Sequence, residues 1–175
     1  MSENKTNFII AVRGYKNVTR QKNGNFTDVT ALDNLNNKVL LRIIKPLTNE
    51  YINLNDIKNM AELIKQDDYN SAILISRKFT DSAIEEMRKQ KIQHVSEDYM
   101  PPFDIQELYS AILDRANNQC QKKCGKVLTA VTDCKESVIG ICKIKMLAMN
   151  AKNHFEDNMV GLLKNDLKIA LALSR

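Results

Sequence analysis

The hydrophobic positions change period part-way along the chain. Over the first 45 residues they fall in short runs or alternate. Phe8-Ile9-Ile10-Ala11-Val12 is a compact apolar run that reads as a strand. Gly14, then Gly24 between Asn23 and Asn25, punctuate turns. From Phe26 to Leu32 the residues alternate, placing Thr27, Val29 and Ala31 on one face and Asp28, Thr30 and Leu32 on the other. Asn34 to Asn37 reads as a turn. Lys38 to Lys45 has the aliphatic and β-branched content of a strand, which Pro46 stops.

Beyond Pro46 a period of 3.6 appears. Ile57, Met60, Ala61 and Ile64 mark an amphipathic helix that Asn53 or Asn55 is placed to cap. Ala72 to Ser76 is a buried strand. Thr80 caps a second helix, with Phe79 and Ile84 spaced as a hydrophobic staple, and Ile92 to Val95 is another short strand. Asp104 with Glu107 forms a capping box, and Phe103 with Leu108 a staple, for a third helix through about Asn117. Strands followed by alternating helices and strands predict an α/β domain. The rest reads as helical. One stripe runs through Val138, Ile141, Cys142 and Lys145 or Met146. Another runs through Phe155, Met159, Leu162, Leu163, Leu167, Ala170 and Leu171, with Asn150 to Asn153 as the expected break. Such faces need a cover, either the α/β domain or a second copy, so a homodimer through the C-terminal helices is expected. Met146, Met149 and Met159 read as core positions of a helix stripe, with an adaptable partner surface as the alternative.

Composition narrows the class. The chain has 175 residues, 43% hydrophobic and 27% charged, which fits a globular domain rather than a disordered segment. It has no apolar run of the roughly 20 residues needed to span a bilayer, and no signal-peptide pattern, so a cytoplasmic protein without a membrane is expected. In that compartment the cysteines are thiols or metal ligands rather than disulfides. Charge divides the chain. Residues 1–116 carry 16 Lys+Arg and 16 Asp+Glu, hence zero, whereas residues 117–175 carry 10 and 5, hence the whole +5. Two parts are therefore expected, an α/β domain over 1–116 and a basic, cysteine-containing helical tail over 117–175.

The stretch Asn53 to Leu113 resembles the second half of Mrr-like restriction endonuclease domains of the PD-(D/E)xK superfamily. The resemblance is carried by Ser71-Ala72-Ile73-Leu74-Ile75-Ser76-Arg77-Lys78-Phe79-Thr80-Asp81-Ser82-Ala83. It consists of a helix, a buried strand ending in a small residue, a Lys-Phe-Thr turn into a helix with a following Ala, and a short strand. Upstream, Gly14-Tyr15, the Gly24 turn, a strand bearing Asp28 and a strand ending in Lys45 are similar in outline. The resemblance implies a restriction-endonuclease-like mixed sheet flanked by helices, followed here by a C-terminal helical extension.

It also implies a site. The family's reaction uses an acid on one strand and an acid (or Gln)-x-Lys on the next. The acids hold a divalent metal that activates water, and the lysine supports the nucleophile. Asp28 matches the first acid and Lys45 the lysine, so these are the catalytic candidates, with Mg²⁺ as cofactor if the site is active. Ile43 stands where the second acid or Gln belongs and cannot ligate a metal. The acid expected on an N-terminal helix is also missing, because the chain starts too close to its first strand and nothing places Glu3. Read from the residues alone, Asp28 and Lys45 are a polar residue on a half-solvated strand and a snorkelling strand end. The resemblance thus points to a degenerate nuclease domain acting by binding or assembly. The alternative is a metal-dependent endonuclease in which Asp33 or Glu50 replaces the missing acid.

Cys120, Cys124, Cys134 and Cys142 follow C-x3-C-x9-C-x7-C, and four thiolates suit zinc or an iron–sulfur cluster. Gly125 is placed to end the helix bearing the first two. The same residues read as small buried apolar positions, and the gaps are not those of zinc fingers. A cysteine-ligated metal protein using the α/β domain as scaffold is a third hypothesis. His154 reads as a surface or helix-end residue, and His94 likewise has no partner nearby in sequence. The tail lysines Lys122, Lys123, Lys126, Lys135, Lys143 and Lys145 are the nucleic-acid-binding candidates. They suit phosphate contact with double-stranded DNA, though dispersed lysines also serve as a solvated face. Only Phe155 is aromatic beyond residue 109, so stacking on single strands is not expected.

Overall fold

The structure, a computed structural model, describes residues 2–45, 51–124 and 142–173. The elements in chain order are α1 (Ser2–Val12), β1 (Lys16–Asn23), β2 (Phe26–Leu32), β3 (Lys38–Ile44), α2 (Leu54–Gln66) and β4 (Ser71–Ile75). They continue with α3 (Asp81–Lys89), β5 (Ile92–Val95), α4 (Ile105–Cys124), α5 (Lys143–Glu156) and α6 (Val160–Leu173). The strands form one sheet in the order β1-β2-β3-β4-β5. The first three are an antiparallel meander, and β3, β4 and β5 are parallel, joined through α2 and α3. The chain is thus an α/β protein with a mixed sheet and a C-terminal helical extension, as expected. It divides into two compact units, one of Met1–Thr6 and Gly14–Pro102, the other of Asn7–Arg13 and Phe103–Arg175.

In the first unit the turns set the register. Asn23 pairs with Phe26 across a two-residue turn whose Gly24 takes φ +57°, a conformation that disfavours any Cβ. At the next turn the Asp33 carboxylate accepts from the amides of Leu35 and Asn37, both at 2.8 Å. Asn53 caps α2, accepting from Asn55 and Asp56 amides, while Asp56 accepts from the Asn53 amide. Thr80 caps α3, accepting from the Ala83 amide at 3.2 Å. Leu40 and Ile44 of β3 and Ala72 and Leu74 of β4 share a core with Ile57 and Met60 of α2 and Ala83 and Met87 of α3. Phe79 and Ile84 join it, as a staple requires.

Two departures from expectation concern the first 25 residues. Phe8 to Val12 is the end of a helix, not a strand, and the chain therefore does have an N-terminal helix that carries Glu3. A five-residue apolar run has no period of its own. The wider set Thr6, Ile9, Ile10 and Arg13 has helical spacing, and Gly14 at φ +63° follows as a helix stop. β1 has no counterpart among the elements that the sequence predicts. Its only apolar residue is Val18, because nearly the whole strand faces solvent and no alternation is written into it.

In the second unit Glu107 accepts from the Asp104 amide at 3.2 Å and Asp104 from the Gln106 amide at 2.6 Å, the box predicted for the start of α4. Phe8 packs edge-on against Phe103 at 5.5 Å, and Arg13 pairs with Glu107 at 3.1 Å. α4 continues past Asn117 to Cys124, so the boundary expected at 116/117 falls inside a helix. The break between α5 and α6 lies at Asp157–Met159, and Asn150 to Asn153 are inside α5. Asn158 at φ +55° makes the stop. Its amide donates to the Phe155 carbonyl and that of Met159 to the His154 carbonyl, a Schellman pair. The buried stripe of α5 is Ile144, Leu147, Ala148 and Ala151, with Met146 exposed. Val138, Ile141, Gly125 and Pro46 lie outside the described residues.

Candidate functional site

β2 and β3 pair so that Asp28 stands directly opposite Arg42. Cross-strand partners share a face, and the two side chains meet in a two-pronged ion pair. Arg42 Nε donates to Asp28 Oδ1 and Nη2 to Oδ2, both at 2.7 Å. Their side chains are only 11% and 13% exposed. The guanidinium also lies over the Phe26 ring, 4.4 Å from its centre. Both carboxylate oxygens and the positive charge are thereby engaged with each other.

Strand alternation places Ile43 and Lys45 on the face opposite to Asp28. Ile43 is buried there. Lys45 is exposed, and its amide donates to the Asn25 carbonyl at 2.9 Å. The two catalytic candidates are therefore not brought together. Asp33 spends its carboxylate within its own turn, where hydrogen bonds from the Asn37 side chain and amide hold it below the ordinary carboxylate range. Glu50 lies outside the described residues. Glu3 on α1 reaches Arg20 of β1 at 3.9 Å.

The ion pair floors a polar cleft of about 280 Å³ between the meander and the end of α2, with Gln21, Thr30, Leu63 and Tyr69 in its walls. A shallower hollow of about 620 Å³ adjoins it along Asn17, Lys38, Asp67 and Asp68. Burial pushes the Tyr69 phenol up, and the Asp67 and Asp28 carboxylates add to this against the opposing Arg42 charge. The phenol is therefore a hydrogen-bond donor at neutral pH. Sequence reasoning missed Arg42 and Tyr69. The signal for Arg42 was a charged residue inside the most apolar strand, a position that burial normally denies to an unpaired charge.

The cationic candidates are spread over two helices. Lys122 on α4 and Lys143 on α5 are exposed, and Lys145 is half-buried. The side chain of Lys123, and Lys126 and Lys135 altogether, lie outside the described residues. A second set is hidden by the zero net charge of residues 1–116. β1 carries Lys16, Arg20 and Lys22 with no acid, on a strand exposed along its length.

Cys120 is buried on α4, and Cys142 at the start of α5 packs against the same cluster, which includes Ala116, Ile144 and Ala148. The side chain of Cys124 and the whole of Cys134 lie outside the described residues, so the four-thiolate site is covered only by its first and last members. Among the described residues no group of three or more Cys, His, Asp or Glu is arranged to hold a metal ion.

Both histidines have partners that the sequence did not announce. His154, in the last turn of α5, has Nδ1 2.6 Å from Oδ2 of the buried Asp166 on α6. His94 stacks on Tyr99 at 4.5 Å and meets the edge of Phe79 at 5.6 Å. Burial, and secondarily the nearby Arg88, holds its imidazole below the ordinary value.

No helix among the described residues is long and apolar enough to cross a membrane. No protein-family model matches the chain, and no curated protein does. The chain is similar to a solved structure described as "Structure of EndoMS in apo form", with a TM-score of 0.40 and 19% identity over 58% of this chain and 48% of that one. It thus spans about half the length of the protein it matches.

Proposed function

We propose that this protein associates with double-stranded DNA through a nuclease-like domain that binds without cutting. The observation that carries the reading is the Arg42–Asp28 pair. In the Mrr-like pattern the first acid holds a divalent metal. Here its two oxygens hold a guanidinium, a fixed cation supplied by the neighbouring strand and stacked on Phe26. A metal would have to displace two charge-assisted hydrogen bonds and leave a buried arginine unpaired, which is strongly unfavourable. The order α2, β4, a Lys78-Phe79-Thr80 turn, α3 with Ala83 and β5 agrees with the one the resemblance implies. The lysines of α4 and α5 suit phosphates. The exposed Met146, Met149, Met159, Leu162 and Ile169 suit assembly through α5 and α6.

The test is incubation of the purified chain with supercoiled plasmid over a salt series, with and without Mg²⁺ or Mn²⁺. Retardation that weakens steeply with salt, with no nicked product under any condition, is the expected result. Metal-dependent nicking abolished by Asp28→Ala would replace this reading with the endonuclease one. Absence of retardation at low salt would remove DNA as the partner.

A further inference from the structure

The guanidinium of Arg42 is only partly spent on Asp28. Nε and Nη2 donate to the carboxylate, which leaves Nη1 with both of its N–H groups. Among the described residues no protein group is hydrogen-bonded to Nη1. Nor is Nη1 sealed in, because Asn117 Oδ1 is the one side-chain polar atom among the described residues that is buried without a partner. Arg42 as a whole is only 9% exposed, and the space it borders is the cleft of about 280 Å³. A donor is therefore held at the floor of that cleft with nothing in the chain to receive it.

Three residues of the walls are in the same condition. Tyr69, Gln21 and Asp67 line the cleft, and among the described residues none of their side chains has a hydrogen-bond partner. Gln21 stands directly opposite Asp28 across β1 and β2, so the register puts its carboxamide on the face of the ion pair. Burial, then the Asp67 and Asp28 carboxylates, keep the Tyr69 phenol protonated. The phenol thus donates, Asp67 accepts, and Gln21 does both. The Thr19 and Thr30 hydroxyls, bonded to each other, lie beside them. Beyond the Tyr69 ring, apolar surface comes from Leu63 and from Phe26, one face of which the guanidinium already covers.

Charge and shape select the ligand. Asp28 balances Arg42, so Asp67 leaves the walls net negative, and an anion would face that carboxylate. An ammonium carries donors only and would meet donors at Nη1 and the phenol. A flat aromatic ring needs apolar walls, of which this cleft has few. A hydroxyl both donates and accepts, so a neutral molecule with a hydroxyl on most of its carbons matches every group. We propose that the Asp28–Arg42 cleft binds a neutral sugar ring, with Arg42 Nη1 and the Tyr69 hydroxyl donating to its oxygens, Asp67 accepting from one of its hydroxyls, and Leu63 against its C–H groups. At about 280 Å³ the cleft is at the small end of ligand pockets, which suits one ring rather than a chain of them. This site does not rest on the DNA-binding reading.

The experiment is amide ¹H–¹⁵N NMR of the full chain titrated separately with D-glucose, D-ribose and D-glucuronate. Glucose or ribose is expected to shift the amides of Gln21, Asp28, Thr30 and Tyr69 saturably, with a dissociation constant of about 1 mM, as ligand efficiencies give for a single ring. Saturation by ribose alone would assign the ring to a nucleoside, and saturation by glucose to a saccharide; either supports the site. Glucuronate should bind about 10-fold more weakly than glucose, because its carboxylate meets Asp67. Tyr69→Phe and Gln21→Ala should each weaken binding about 5-fold, the loss of one hydrogen bond, and leave the melting temperature unchanged, since neither side chain has a partner to lose. Gln93→Ala, on the exposed face of β5, should do neither. No saturable shift with either sugar at about 50 mM, far above the expected constant, would mean that the cleft holds water only, and would overturn the proposal. So would sugar binding that both cleft variants leave intact, or glucuronate binding as tightly as glucose.

Discussion

Arg42 and Asp28 show how much a single cross-strand pair decides. Each is nearly covered, and each would be a strongly disfavoured buried charge without the other. Arg42→Ala should therefore destabilise the chain by about 3 kcal/mol, read from urea unfolding followed by far-ultraviolet dichroism. Arg42→Met combined with Asp28→Leu should recover most of that loss, since removing both partners also removes the desolvation cost. A double variant no more stable than Arg42→Ala would mean that the pair is not a closed unit. The alternation of β2 was legible in the sequence, and it correctly separated Asp28 from Val29. What was not legible is which residue of β3 shares Asp28's face. Alternation is a property within one strand, whereas registry across strands is set by the Asp33–Asn37 turn, and that turn aligns Asp28 with Arg42 rather than with Lys45. His154 and Asp166 were invisible as a pair for a related reason. They lie twelve positions apart and meet only because the chain reverses at Asn158.

At the scale of elements, legibility followed locality. α2, α3 and α4 each announce their start within four residues, through Asn53, Thr80 and Asp104, and the structure has those caps. α1 has no such cap in the sequence, and its five-residue apolar run fits either period. β1 carries almost no hydrophobic signal because nothing covers it. The α5–α6 turn was misplaced because Asn150 and Asn153 resemble a break, but only Asn158 takes the left-handed conformation. That distinction can be tested. Asn158→Gly keeps the αL turn and should leave stability equal or slightly raised. Asn158→Val places a β-branched residue at φ +55° and should cost about 1–2 kcal/mol in chemical unfolding. If the two variants unfold alike, the turn does not depend on that conformation.

For the whole molecule, the formal charge of +5 is a sum that conceals two concentrations, one in residues 117–175 and one in the acid-free stretch between Glu3 and Asp28. A sum over residues 1–116 comes to zero and hides the second, so only the first was legible. Protons enter the energetics of the whole chain in a similar way, through the difference between folded and unfolded states. His94 supplies one such difference. Held between Phe79 and Tyr99, its imidazole lies below the ordinary value of 6.5, chiefly through burial and secondarily through Arg88. Between the folded value and 6.5 the unfolded chain binds a proton that the folded chain does not, so unfolding takes up a proton and stability rises with pH. Acidification from neutral pH should therefore weaken the fold as pH drops through 6.5, until the folded imidazole also protonates. His94→Gln cannot titrate and should lose less of its urea midpoint than the parent between about pH 7.5 and about pH 5.5, a window above the ordinary carboxylate range. Equal losses in the two proteins would show that His94 protonates as readily folded as unfolded, and that its place between the two rings leaves it open to water.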